Sequence, residues 1–284
     1  MKIIMSNNKI LMNKNQIAMY KPQLVLKDMV VGSTFTLGKY QVENETPWDI
    51  EWEIVHQESA YQIAMTKQII DLRPFDGNEP TNPDSNRKIR GNNNWQYSNI
   101  KQFLNSDQSN WYSAQHQYDA PPSSDNCYHY SNGITFNAYD THKGFLYYWS
   151  NEDKTLLKDM TLTLANNTVT DGGGSYTWTG KVWLPTYTQM GFGNINNIAE
   201  GIKFSKFTDD ISRVKSIHPN CIANNEYCKI NNSPGVITFH AYWMSSVELS
   251  SSCVVHHVNN GYDSNYYAHC GDFGLAPCIC LPRK

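Results

Sequence analysis

The chain has 284 residues, 40% apolar and 13% aromatic, which is ample for a packed core and excludes a wholly disordered protein. A formal charge of −3 with 17% charged residues leaves no clustered basic face for a polyanion, so nucleic acid is excluded as an expected partner. No apolar run is long enough to span a bilayer, and MKIIMSNNKILMNKNQ lacks the apolar stretch and small-residue cleavage site of a secretory signal. The expectation is a protein made in the cytoplasm, without a signal peptide and without membrane insertion.

Residues 1–23 are polar, rich in Asn and Lys and weakly patterned, and read as a mobile arm or attachment segment. From Gln23 the pattern changes to apolar-polar alternation broken by Gly32 and Gly38, which predicts antiparallel strands and the start of one domain over 24–284. The stretch 76–94, DGNEPTNPDSNRKIRGNNN, reads as a surface loop in which Arg87, Lys88 and Arg90 are solvated. Ser98 then predicts the cap of a short helix that buries Ile100, Phe103 and Leu104 on one face. Residues 107–148 carry many aromatics with little periodicity, a pattern that fits either function or self-packing.

A second helix is predicted from Ser150 to about Asp159, opened by Glu152 and Asp153 at its positive end. Next come a strand pair around the loop in TLTLANNTVTDGGGSYTWTG, and a short helix ending near Gly191 whose cap chemistry belongs to Thr186 and Gln189. In the polar connection at 192–235, the spacing of Cys221 and Cys228 permits a local disulfide under oxidising conditions.

The end of the chain, 242–282, reads as three strands at 253–258, 265–270 and 275–281, joined by Asn-Asn-Gly-Tyr-Asp and Gly-Asp-Phe-Gly turns. Its first two-thirds are crowded with Ser, Asn, Tyr, His and Asp, whereas the last strand is almost all apolar. That contrast predicts a buried strand carrying an exposed polar-aromatic face, a composition suited to adaptable recognition. The candidate ligand-binding residues are Tyr262, Asn265, Tyr266, Tyr267, His269 and Asp272, with His256 and Asn259 as neighbours. Alternation along a strand lets only about half of them face one ligand.

The seven cysteines are expected to be mostly buried thiols. Cys253, His256, His257, His269 and Cys270 lack the CxxC or HxxxH spacing of zinc sites, so no metal is expected. Glu248, Asn259, Asn260 and Asp263 are the oxygen donors a calcium ion would use, without the lectin E-P-N or Q-P-D motif. No phosphate loop, HExxH or GxSxG is present, and no cofactor is expected.

Several motifs follow one another in an order that resembles an uncharacterised family of C-type-lectin-like domains in Firmicutes and their phages. They are Gly32 to Tyr40, the strand Ile50 to Val55, Trp95-x-x-Ser98-x-Ile100 with Leu104-Asn105, Gly144-Phe145-Leu146, Val182 to Thr186, Trp243 with Ser245-Ser246, and Gly274 to Pro277. The resemblance implies an α+β, C-type-lectin-like fold with short antiparallel strands, a few short helices and long loops, and it favours packing for the aromatic loop. More distantly the chain is similar to retroelement-diversified phage adhesins, whose variable residues lie near the C-terminal end of the domain, and to formylglycine-generating enzymes.

The function this implies is a non-catalytic virion protein, a tail-tip, fibre or capsid-decorating adhesin that binds a host cell-surface glycan or protein. One alternative is a structural module that binds other virion subunits, and a homotrimer formed through the arm would fit either reading. A second alternative is an oxidase of the formylglycine-generating type, which would draw on Cys253, Cys270, Cys278 or Cys280.

Overall fold

A computed structural model describes residues 10–13, 16–19, 26–128, 137–231 and 239–283. The first elements are a hairpin of β1 (Ile10–Asn13) and β2 (Gln16–Met19), so part of the expected arm pairs with itself. Then β3 (Thr34–Tyr40), β4 (Trp48–Gln57) and β5 (Tyr61–Thr66) form an antiparallel meander, and the short β6 (Asp71–Leu72) follows. Three short helices come next: α1 (Ser85–Arg90), α2 (Asn99–Leu104) and α3 (Asn151–Thr155). A separate hairpin of β7 (Met160–Ala165) and β8 (Ser175–Gly180) precedes β9 (Val182–Trp183). After α4 (Pro219–Asn224) and α5 (Glu226–Asn231) the chain ends in β10 (Tyr242–Val247), β11 (Val254–Asn259), β12 (Tyr262–Tyr267), β13 (Gly274–Leu275) and β14 (Cys278–Pro282).

Two five-stranded sheets dominate, in the orders β12-β11-β10-β13-β6 and β3-β4-β5-β14-β9. With a few short helices they make a mostly-β, α+β protein. Two segments run from one sheet to the other and are bonded to each other at both ends of the crossing. The first is β5 to β6 and the second is β13 to β14, with Ile70 N–H donating to Leu275 O (3.0 Å) and Thr66 N–H to Pro277 O (3.0 Å) between the sheets. The expected strand over 275–281 is therefore two strands, because Ala276-Pro277 carries the chain across and Pro277 has no N–H for a ladder. One hydrophobic core runs from Leu26 to Leu281 and includes the buried rings of Trp52, Trp95, Trp183 and Trp243.

The local signals at the helix starts are the ones the sequence carries. Ser98 accepts from Lys101 N–H (3.3 Å), and Ile100, Phe103 and Leu104 are buried, each contributing about 1.5–3 kcal/mol through burial. Ser150 caps α3, which stops at Thr155, short of the expected end. Thr186 and Gln189 do exchange reciprocal cap bonds (3.1 Å each), but they close a turn and no helix follows. In the aromatic stretch Trp111, Tyr139 and Phe145 pack inward, the first two rings stacked 5.3 Å apart, while Tyr128 and Tyr147 are exposed; its residues 129–136 lie outside the described set, as do 232–238 of the second polar connection.

The expected surface loop at 76–94 is exposed only in its middle, where α1 lies and Lys88 and Ile89 face solvent; its ends and Arg87, expected to be solvated, are buried. Asp76 accepts from Asn92 N–H (2.9 Å) and Asn99 N–H (2.8 Å), and Arg87 forms a two-pronged pair with Asp171 (2.8 and 2.9 Å). Asn93 donates to Ser251 O (2.8 Å) and Val254 O (2.9 Å), tying this segment to the start of β11. Apart from Asn78 Oδ1, the buried side-chain polar atoms of this segment have partners, which is what allows part of a loop sequence to lie inside.

At the end of the first crossing, the wholly buried Arg73 bonds Asp71 (2.7 Å) and Val42 O (2.8 Å), and Tyr40 donates to Asp71 (2.5 Å). Burial and the Asp71 charge together push the Tyr40 phenol well up. Removing one partner of this group would strand a charge in the core.

Candidate functional site

The candidate site lies on the β11–β12 hairpin. Asn260 and Gly261 alone form its turn, with φ of 49° and 85°, and pair Asn259 with Tyr262. Positive φ at both central residues is the requirement of a type I′ hairpin. The expected five-residue turn is thus too long, and β12 begins at Tyr262 where 265 was expected. A Cβ on Gly261 would come within 1.9 Å of Asp210 O, so the tip rests on the 209–211 loop and admits no side chain.

This register divides the predicted residues between two faces. Asn259, Tyr262 and Tyr266 share one face with His257, while His256, Asn265 and Tyr267 share the other with Asp263. Tyr262 is 62% exposed and Tyr266 46%, whereas His256 and His269 are buried.

The face of Tyr262 and Tyr266 continues into an aromatic surface. The Tyr266 ring lies 5.3 Å from Phe273, which packs on Trp243 (4.3 Å) and His257 (4.5 Å). His240 bonds the Asp272 carbonyl and lies 5.9 Å from the Tyr227 ring. Burial, and then the Asp272 charge, raises the Tyr227 phenol; Tyr266 is raised by burial and by the Cys270 and Asp272 charges. Asp272 therefore sits among Tyr227, His240 and Tyr266. On the other side of Tyr266, Tyr267 stacks under the Arg90 guanidinium (4.2 Å), and His269 meets Tyr128 (5.3 Å).

Under this surface, burial pushes the His257 imidazole down to about 4, and its buried Nδ1 has no hydrogen-bond partner among the described residues. His257 thus belongs to the packed layer that supports the exposed rings. Sequence reasoning chose His256 and missed its neighbour His257, along with Phe273, Tyr227 and His240. The period-two rule would have linked His257 to Tyr266 once the two-residue turn fixed the register.

The opposite face has its polar groups matched internally. His256 Nδ1 lies 2.7 Å from Asp263 and its Nε2 3.6 Å from Glu248, while Asn265 donates to Glu248 (3.2 Å). The Tyr187 ring closes over His256 at 4.9 Å. Two carboxylates on opposite imidazole nitrogens orient the ring and leave neither nitrogen open to a metal. Among the described residues no three His, Cys, Asp or Glu side chains converge as metal ligands.

All seven cysteines are free and buried, and burial holds the Cys253, Cys270, Cys278 and Cys280 thiols above their ordinary range, Cys280 to about 11. Cys221 and Cys228 approach to 3.9 Å on α4 and α5, as thiols rather than a disulfide. Elsewhere, a polar cleft of about 320 Å³ is lined by Gln41, Glu43, His142 and Tyr148 among others. Burial pushes Glu43 up, but the His142 bond and the Arg73 charge outweigh it and hold the carboxyl below its usual range.

Among the described residues no helix is long and apolar enough to cross a membrane. No curated protein and no solved structure matches the chain. The model of the domain of unknown function DUF6273 matches residues 62–283, from within β5 to just past β14, so the chain belongs to that family.

Proposed function

We propose that this protein is a non-catalytic recognition protein of a phage virion, a tail-tip, fibre or capsid-decorating adhesin that binds a host cell-surface glycan or protein. The observation that carries the reading is the surface around Tyr266. Exposed tyrosines stand on a tight hairpin beside Phe273, Tyr227, His240 and Asp272, over the buried ring of His257. Flat rings stack on the apolar faces of sugars or on peptide side chains, and one carboxylate with adjacent imidazoles selects hydroxyls or amides. The motif order that resembles C-type-lectin-like phage domains supports both that fold and the virion setting. High thiol pKa values disfavour the oxidase alternative, since the thiolate is the form that binds metal and attacks.

The test is binding of the fluorescently labelled protein to a panel of Gram-positive cells and isolated walls. The double variant Tyr262→Ala with Tyr266→Ala is compared after circular dichroism shows that it is folded. The expected outcome is saturable binding that weakens about tenfold or more, a loss of about 1.4 kcal/mol. Absence of binding by the folded protein to any host would favour the structural virion module.

A further inference from the structure

The two five-stranded sheets have four edges, and three of them are closed. At β6, Asn225 Nδ2 donates to Leu72 O (3.1 Å) and Asp71 accepts the Leu72 N–H (2.8 Å), so side chains take the edge groups. At β9, Asn105 does the same to both the N–H (3.1 Å) and the carbonyl (2.8 Å) of Val182. The long edge β3 is broken by a bulge between Thr36 and Lys39, where Gly38 has a φ of 68°, and Lys39 stands charged upon it. These are the devices by which proteins stop sheet edges from pairing with other chains.

β12 has none of them. It is six residues long, keeps an unbroken register with β11, and contains no Lys, Arg or Pro. Its one charge, Asp263, is tied to His256. The bond from Ala268 N–H to Cys253 O (2.9 Å) fixes the phase of the ladder, so Ser264 and Tyr266 bond inward to β11. The backbone groups of Asp263 and Asn265 consequently point away from the sheet. Among the described residues none of them meets a backbone partner.

We propose that this edge pairs antiparallel with β12 of a second copy, about a two-fold axis at Ser264, joining two five-stranded sheets into one of ten. Asp263 of each copy then exchanges backbone hydrogen bonds with Asn265 of the other, so the two Asp263 carboxylates are not placed opposite each other. Tyr262 falls directly across from the second copy's Tyr266, in the closer, non-hydrogen-bonded type of pair, and the exposed rings cover one another. Self-complementarity of length, charge and rings is what selects a second copy as the occupant, the isologous arrangement of a two-fold dimer. The pairing stands independently of what the aromatic surface binds. It also adds the second copy's Tyr262 to that surface beside Tyr266.

The experiment is solution mass of the full chain by light scattering from micromolar to hundreds of micromolar, with amide exchange measured residue by residue. A dimer is expected, and the Asp263 and Asn265 amides should slow about tenfold or more as concentration rises, while Ser264 and Tyr266 stay protected throughout. Asn265→Pro removes an outward N–H and the side-chain bond to Glu248, and proline is tolerated at an edge, so it should give a monomer, whereas Asn265→Ala, which loses the Glu248 bond alone, should remain dimeric. A single-chain or trimeric mass, or a dimer that survives Asn265→Pro, would overturn the proposal. If Asn265→Pro does not fold, the exchange of the unaltered chain decides: Asp263 and Asn265 amides indifferent to concentration would overturn it equally. No ligand enters any of these readouts, so they fail or succeed separately from host binding.

Discussion

Residues 76–94 and 253–272 are both crowded with Asn, Asp, Ser and Gly and both are about half buried, yet the first stretch turns Asn and Asp side chains inward at its ends and the second presents rings to solvent. The difference lies in where their polar groups find partners. Asn93, wholly buried, spends its amide on two carbonyls near β11 and accepts from Asn167 (3.0 Å). Tyr262 and Asn259, at the hairpin tip, face water. Polar composition therefore predicts a need for hydrogen bonds, which water or the protein's own backbone can meet.

The strongest way to break that comparison is Asn93→Ala. It removes the Asn93 bonds to the Ser251 and Val254 carbonyls and from the Asn167 amide, of which Val254 O keeps Glu248 N–H and Asn167 keeps Asp171, and should cost about 2 kcal/mol of stability in urea titration. A cost under about 0.5 kcal/mol, the range of surface substitutions, would mean that the segment is solvated after all.

Acid sharpens the comparison next, because His257 belongs by sequence to the exposed stretch and by packing to the interior. Burial holds His257, and likewise His218 stacked on Trp48 at 3.8 Å, near a pKa of about 4 in the folded protein. In the unfolded chain each titrates near about 6.5. Since the folded state resists the proton, the stability each ring contributes is complete above the unfolded value and is lost as pH falls towards 4, on the order of 2 kcal/mol per ring. His257→Phe keeps a ring between Trp243 and Phe273 and should flatten the fall in melting temperature between pH 7 and 4; an unchanged slope would show that His257 is solvated. The smallest effect belongs to Tyr262→Ala, whose 62% exposure predicts a stability change within about 0.5 kcal/mol in a monomeric sample at low concentration.

Local chemistry was the legible part of the fold. Ser98 and Ser150 announced their helices, Asn260-Gly261 the last hairpin, and alternation the β3–β5 meander. What stayed hidden depended on partners far along the chain. Nothing near Arg87 points to Asp171, and nothing within 275–281 except Pro277 hints that the strand changes sheets. In the candidate site, Tyr262 and Tyr266 were legible as exposed rings, whereas His256 and Asn265 were placed with them by proximity in sequence. The two-residue turn sets the face of every residue in β12, and allowing five residues for it blurs that assignment.

The paired crossings between the sheets also govern the order of events during synthesis. β5 emerges well before its neighbour β14 and the β13 partner of β6, which are made from residues 274–282, with Met65 waiting for Cys278. Until 274–282 leaves the ribosome, β4–β5 presents an open apolar edge and the β6 edge lacks its mate. Such distant pairing makes for slow folding and a long period of exposure to aggregation, so a chain cut before residue 274 should depend on chaperones and fail to reach a native sheet.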